Sequence, residues 1–189
     1  MTTLAPLNNL ESAIIDHLKA GLYTSVVEGT AQGQGIALGE LYDLGGSLQL
    51  SALGTRAFVG TGDDVLISGV IVSGSQSASL LLRALGPSLT AAGLHGALAD
   101  PTLELFDGNG DLILSNDNWK DTQQSEIEAT GLAPSDDRES AAVVTLSPGV
   151  YTSVVTGVGG ATGLSFVQWY SLGAPTRSLD PAPLLRLAR

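Results

Sequence analysis

Residues 21–29 read GLYTSVVEG and residues 149–157 read GVYTSVVTG. Sliding the sequence along itself by 128 positions, so that Gly21 faces Gly149, extends the match without a gap in both directions. Upstream, Leu4, Ala5, Pro6, Glu11, Ser12 and Ala13 meet Leu132, Ala133, Pro134, Glu139, Ser140 and Ala141; downstream, GIALGELYDLG faces GLSFVQWYSLG. The match ends at Gly45 and Gly173. A gapless internal repeat sets the layout before any local pattern is read. Residues 46–173 are one complete unit, residues 1–45 are the C-terminal third of an upstream unit, and residues 174–189 are a Pro- and Arg-containing tail.

Within the unit the dominant pattern is alternation with period two, bounded by turn residues at the spacing of a sandwich. Val65, Ile67 and Ile71 share one face of a strand; Ala78, Leu80 and Leu82 share one face of the next and leave Arg83 on the other. TLELF and DLILS flank DGNG, where Asp-Gly and Asn-Gly tolerate positive φ and signal a hairpin. LSFVQWYSL carries apolar groups on both faces, Leu164, Phe166 and Tyr170 on one and Val167 and Trp169 on the other. TQQSEIEATG, entered from Asp121 or Thr122 as N-cap and closed by Gly131, is the one segment that reads as a helix. Twenty-four Gly, eight Pro and only 14% charged residues agree with many turns and few surface helices. The expected fold is all-β: an antiparallel β-sandwich, jelly-roll-like, with one short helix, plus an N-terminal partial repeat of two or three strands.

A formal charge of −11 with eight Lys and Arg disfavours nucleic acid and anionic membrane, because few cations are present to neutralise phosphates. Absence of cysteine excludes a disulfide scaffold and thiolate metal sites. MTTLAPLNNLESAII lacks the basic and apolar regions of a signal peptide, and Val65 to Leu82 is interrupted by SGSQSAS, so it is two strands rather than a membrane span.

The stretches TRAFVGTGDDVLISGVIVSG, LLLRALGPSL, LADPTLELFDGNGDLILSNDNW and ESAAVVTLSPGVYTSVVTG together resemble a tandem β-sandwich repeat of large secreted and surface proteins of bacteria, with GPSL and NDNW as signatures. The resemblance covers Leu53 to Leu172, and Glu11 to Leu44 again; in outline it also resembles pre-peptidase C-terminal domains. It implies an extracellular or cell-surface, non-catalytic module. Fold analogy alone does not assign function.

The densest polar constellation is Asp107, Asn109, Asp111, Asn116, Asp117, Asn118 and Asp121. Oxygen donors at that density suit Ca²⁺, yet the spacing is not that of an EF-hand, with Leu112 at the sixth position and Asn118 at the twelfth. The alternative is that DGNG is a hairpin turn and NDNW bonds to backbone in Asx-turns. Asp63, Asp64, Asp136, Asp137 and Glu139 join such a site only if the fold brings them close. Ser88, His95 and Asp100 lack the spacing of a nucleophile elbow, and His17 faces Thr145 in the repeat. GTGDDV and GVGGATG do not match phosphate-loop patterns and read as hairpin loops. Trp119, Trp169 and Tyr170 offer either core or a surface for stacking a glycan.

Residues 1–45 carry Ile14, Ile15, Leu22, Val26, Ile36, Leu38 and Tyr42 without the rest of the unit that would cover them, and an isolated small sheet is marginal in water. The cover is either the complete unit of the same chain or another chain, as in donor-strand complementation; the third alternative is that the chain is a piece of a longer tandem protein, with these N-terminal strands left over from an upstream unit. Repeated head-to-tail between copies, the second gives a homo-oligomer, filament or surface layer. The sequence thus yields two readings: a self-assembling structural protein, or a Ca²⁺-binding adhesion or glycan-binding accessory module.

Overall fold

The computed structural model describes residues 4–45 and 50–173, which fall into two units, Met1–Gly35 and Ile36–Arg189. The second unit holds eight strands, β1 (Ala52–Val59), β2 (Leu66–Val72), β3 (Ala78–Leu85), β4 (Pro101–Phe106), β5 (Leu112–Asn116), β6 (Ser140–Leu146), β7 (Gly149–Gly157) and β8 (Gly163–Ser171), with two short helices, α1 (Pro87–Ala91) and α2 (Gln124–Ala129). The strands form two four-stranded antiparallel sheets, ordered β1-β8-β3-β6 and β2-β7-β4-β5. Pairing is nested, β1 with β8, β2 with β7, β3 with β6 and β4 with β5, so the chain is one long hairpin rolled into a jelly roll. Its tip is the DGNG turn, closed by Asp107 N–H to Asp111 O and Gly110 N–H to Asp107 O, both 3.0 Å.

Alternation decides which face is buried. Leu80 and Leu82 of β3, Leu103 and Leu105 of β4, Val155 of β7 and Val167 and Trp169 of β8 meet between the sheets. Ile67 and Ile71 do share a face, and it is the solvent face, while Leu66 and Val72 point inward. In β5, Leu114 packs on the core and Leu112 is exposed. The two-faced apolar pattern of β8 has its reason in a second cluster, in which Tyr170, Leu81 and Ala141 pack with Trp119 and with Ile127 of α2. The outer face of one sheet is therefore covered by the β5–β6 connection. Helix α2 lies within the expected segment but is entered from Gln123, with no side-chain cap; α1 is an additional helix, started by Pro87 in the first turn. Among the described residues no helix is long and apolar enough to cross a membrane. The expected tail, residues 174–189, lies outside the described residues.

Residues 4–45 form no strand among the described residues; they hold the 3₁₀ turn Thr30–Gln32 and a turn closed by Glu11 N–H to Asn8 O at 3.0 Å. Every described residue there is exposed, including Ile14, Val27, Ile36 and Leu38. The two or three strands expected here are absent, and the topology explains why. The repeat aligns this segment with β6, β7 and β8, no two of which are neighbours: β6 pairs with β3, β7 with β2 and β4, and β8 with β1 and β3. A segment equivalent to those three has no hydrogen-bond partner within itself.

Local conformation nevertheless follows the complete unit. The turn Thr30–Gln32 matches the 3₁₀ turn Val158–Gly160 at the same repeat position. Ala31 and Gln32 hold positive φ of 52° and 62° where the complete unit has Gly159 and Gly160 at 64° and 76°, a region costly for residues with a Cβ. The Tyr23 hydroxyl donates to Lys19 O at 2.9 Å, as Tyr151 does to Ser147 O at 2.9 Å. A Cβ at Gly29 would collide with Gly33 O, and one at Gly157 with Ala161 O.

Candidate functional site

The signature residues converge on one buried carboxylate. Strand β3 ends in Gly86, where a Cβ would collide with Leu98 O, and Pro87 then starts α1, leaving the turn's backbone N–H groups pointing outward without partners in the helix. Glu139, fully buried at the start of β6, supplies the acceptors. Its Oε1 takes Gly86 N–H at 2.9 Å and Ser88 N–H at 2.8 Å, and its Oε2 takes the Ser88 hydroxyl at 2.5 Å. Ser135 Oγ lies 2.6 Å from Ser88 Oγ. The backbone of Glu139 continues the junction, its carbonyl accepting Trp119 N–H at 2.9 Å.

NDNW is built into the same junction. Asn116, buried at the end of β5, accepts Ala141 N–H at 2.9 Å and donates to Asn118 O at 3.0 Å. Trp119 Nε1 donates to Asp136 O at 3.1 Å. The Ser140 hydroxyl, buried, lies 2.6 Å from Pro101 O and 2.7 Å from Asp117 O. GPSL, NDNW and the Glu-Ser pair at the start of β6 are thus one clasp, tying β3, β4, β5 and β6 together where the two sheets meet. Hydrogen bonds to a charged acceptor contribute about 1.5–3 kcal/mol each, and a buried carboxylate needs several of them.

A buried cation stands on the outer side of β3. Arg83 donates to Gln168 Oε1 at 2.8 Å, Leu132 O at 2.5 Å and the Tyr170 hydroxyl at 3.0 Å, with its guanidinium carbon 5.0 Å from the Tyr170 ring centre. Every acceptor is neutral; the ion pairs among the described residues are Lys120–Asp137 and Arg138–Asp136. Burial raises the Tyr170 phenol above its ordinary pKa, against the opposing effects of Arg83 and Gln168.

The seven oxygen-bearing residues picked from the sequence fall at the two ends of β5. Asp107, Asn109 and Asp111 form the hairpin turn, where Asp107 Oδ1 accepts Asn109 N–H at 2.8 Å and Asp111 N–H at 2.9 Å. Asn116, Asp117, Asn118 and Asp121 follow β5, with Asn118 donating to Asp121 at 3.3 Å. Asp111 and Asn116 are five residue steps apart along the strand, about 17 Å, so one cation meets one set at most. Among the described residues no three His, Asp or Glu side chains gather as a metal site. Asp117 is held above the usual carboxylate range by desolvation, then by the charges of Asp100 and Asp121, and Asp100 Oδ1 is buried without a hydrogen-bond partner.

The Ser88 hydroxyl donates its hydrogen bond to Glu139, and His95 is exposed; the polar atoms of GPSL hold structure rather than a nucleophile. Trp119, Trp169 and Tyr170 are buried, so these three belong to the core and offer no platform for a sugar. The sequence places Glu139 only among residues that join a site if the fold brings them close, although the repeat carries a signal: Glu-Ser precedes an apolar run in both copies, at Glu11-Ser12 and Glu139-Ser140.

Glu139→Ala leaves the Gly86 and Ser88 N–H groups without their acceptor, and urea denaturation should show a loss on the order of 3 kcal/mol; Ser88→Ala, which removes the hydroxyl's bond to Glu139 and keeps both N–H donors, should cost about half of that. The Asp107 carboxyl is held below the usual range, first by Asp111 N–H and then by Asn109 N–H. Its contribution to stability is present above the unfolded value, about 3.9, and is lost as pH falls through the folded value. Acid unfolding of Asp107→Asn should accordingly show a shallower pH dependence than the parent.

No family model matches the sequence, and no curated protein matches it. Among solved structures, the chain is similar to the pre-peptidase C-terminal domain of collagenase from Bacillus anthracis, at 11% identity and a TM-score of 0.40, over 63% of this chain and 89% of that one. The likeness is distant and partial, to a bacterial β-sandwich domain.

Proposed function

We propose that this chain is a non-catalytic structural module of a bacterial extracellular or cell-surface assembly, joined to neighbouring polypeptide by β-strand complementation from residues 12–43. One observation carries the reading: the segment has the turn geometry and the Tyr23 hydrogen bond of the β6–β8 half of a jelly roll, and forms no strand among the described residues. Its apolar side chains are exposed, Ile14 at 89% and Ile36 at 88%, and they are stabilised by burial at about 25 cal/mol per Å² once a partner sheet is supplied. The secreted and surface location rests on the resemblance of the repeat sequence. Where copies of the chain accept one another's strands, the contact is heterologous and extends as a filament or layer.

A direct test places residues 46–131 ahead of Leu4, which restores the repeat phase. The tandem protein should show roughly twice the calorimetric unfolding enthalpy of the parent chain, and the amides of residues 12–43 should gain protection from hydrogen exchange. An unchanged enthalpy with Ile14 and Val27 unprotected would remove the reading.

A second reading, Ca²⁺ binding, is favoured by the buried, unpartnered Asp100 Oδ1, with the charges of Asp100 and Asp121 adding to desolvation in raising the Asp117 carboxyl. Calorimetric titration of the parent with Ca²⁺ should then give heat that Asp117→Asn abolishes; a parent that gives none rules it out.

A further inference from the structure

The tip of the long hairpin carries a reactivity that the fold does not use. Of the five asparagines in the sequence, Asn8, Asn9, Asn109, Asn116 and Asn118, only Asn109 is followed by glycine. A glycine nitrogen swings onto the side-chain amide of the preceding residue with no Cβ to obstruct it. Asn109 and Gly110 are both exposed, and no atom beyond the chain neighbours lies within 4 Å of where a Cβ on Gly110 would stand. The other asparagines are less open to this attack. Asn116 is buried, with its side-chain oxygen on Ala141 N–H and its nitrogen on Asn118 O. The nitrogen that follows Asn118 belongs to buried Trp119, whose N–H donates to Glu139 O. Asn8 and Asn9 precede Asn9 and Leu10, whose side chains crowd the attacking nitrogen.

We propose that Asn109 is a site of spontaneous deamidation and that the Asp107 side chain sets its pace. The Gly110 backbone nitrogen, its proton taken by solvent base, attacks Asn109 Cγ. The new C–N bond closes a succinimide ring as the Cγ–Nδ2 bond breaks, and the amide nitrogen leaves as ammonia with a proton from water. Water then opens the ring on either side. Cleavage at Cγ leaves aspartate at position 109, and cleavage at the main-chain carbonyl leaves isoaspartate.

The folded tip restrains both partners in this ring closure. Gly110 N–H, the nucleophile, donates to Asp107 O at 3.0 Å. Asp107 Oδ1 accepts Asn109 N–H at 2.8 Å and Asp111 N–H at 2.9 Å, and Asp107 Oδ2 accepts Asn109 Nδ2 at 3.2 Å. Closure breaks the Gly110 bond and the side-chain bond together, so the reaction runs through a locally opened tip. Either product then acts against the turn. Aspartate at position 109 sets a like charge against Asp107 Oδ2, where the amide now donates. Isoaspartate adds a carbon to the main chain between Asp107 O and Gly110 N–H and puts the turn's bonds out of register. Strand β5, at the edge of its sheet and paired with β4 alone, is the element that loosens.

The test incubates the full chain at mildly alkaline pH and follows, by peptide mass mapping, the gain that accompanies exchange of an amide NH₂ for OH. The expected result is a gain in the folded chain first at Asn109, resolved into aspartate and isoaspartate forms. Unfolding in guanidinium chloride should speed the gain at Asn109 roughly tenfold, the value of one hydrogen bond to a charged acceptor. Asp107→Ala should recover most of that increase in the folded state, with the near-ultraviolet signal of the buried Trp119 and Trp169 reporting that the variant is folded. Asn109→Gln, whose longer side chain closes only a larger ring, should abolish the gain at this position. Four outcomes overturn the inference: Asn109 keeps its amide in the folded chain; Asn8 or Asn9 reacts ahead of it; the folded chain reacts as fast as the unfolded one; or folded Asp107→Ala reacts no faster than the parent. The ratio of unfolded to folded rates is read on the parent alone and does not depend on how well the variant folds.

Discussion

Everything in this structure depends on the rule that strands from the second half of the chain take their hydrogen bonds from the first half. Backbone N–H and C=O groups must be paired when buried, and the nested jelly-roll order leaves β6, β7 and β8 no way to satisfy one another. The same rule that closes residues 50–173 into a sandwich leaves residues 4–45 without a strand. Two stretches of related sequence therefore differ in secondary structure, in keeping with what each has available to pair with.

Much of this was legible in the sequence because the physics that sets it is local. The DGNG turn, the alternation of Leu103 and Leu105, and the separation of Leu82 from Arg83 all follow from backbone preference and period-two burial. The apolar residues on both faces of β8 were visible too, and Tyr170 and Trp169 lie in two different clusters. What was not legible depended on pairing between distant segments. A sheet within residues 1–45 was the natural expectation from their patterning, and only the strand order shows that those strands belong to two sheets. Helix α1 is five residues long, too short for periodicity to register, and its reason for existing is a carboxylate 51 residues away.

The candidate site taught the same lesson in chemical form. A run of Asp and Asn drew attention because its composition suits a hard cation, while one glutamate at the start of a strand did not. In the fold, Asp107 and Asn109 satisfy their own turn, whereas Glu139 has three donors and no solvent exposure. Burial with full hydrogen bonding distinguishes a structural charge from a solvated one, and burial is what a single sequence reveals least. The recurrence of Glu-Ser at Glu11 and Glu139 was the available clue, because a repeat reports which positions each unit needs in order to close.

Strands β7 and β8 occupy the interior of their sheets although they are the last of the eight in chain order. During synthesis the first five strands emerge with both central slots vacant, and neither sheet can be zipped until its own central strand, β7 or β8, has left the ribosome. Long-range pairing of this type is intrinsically slow, because loop closure precedes the contacts that reward it. The nascent first half thus waits with open edges, and whichever completing segment reaches it first, its own or a neighbour's, decides how the molecule closes.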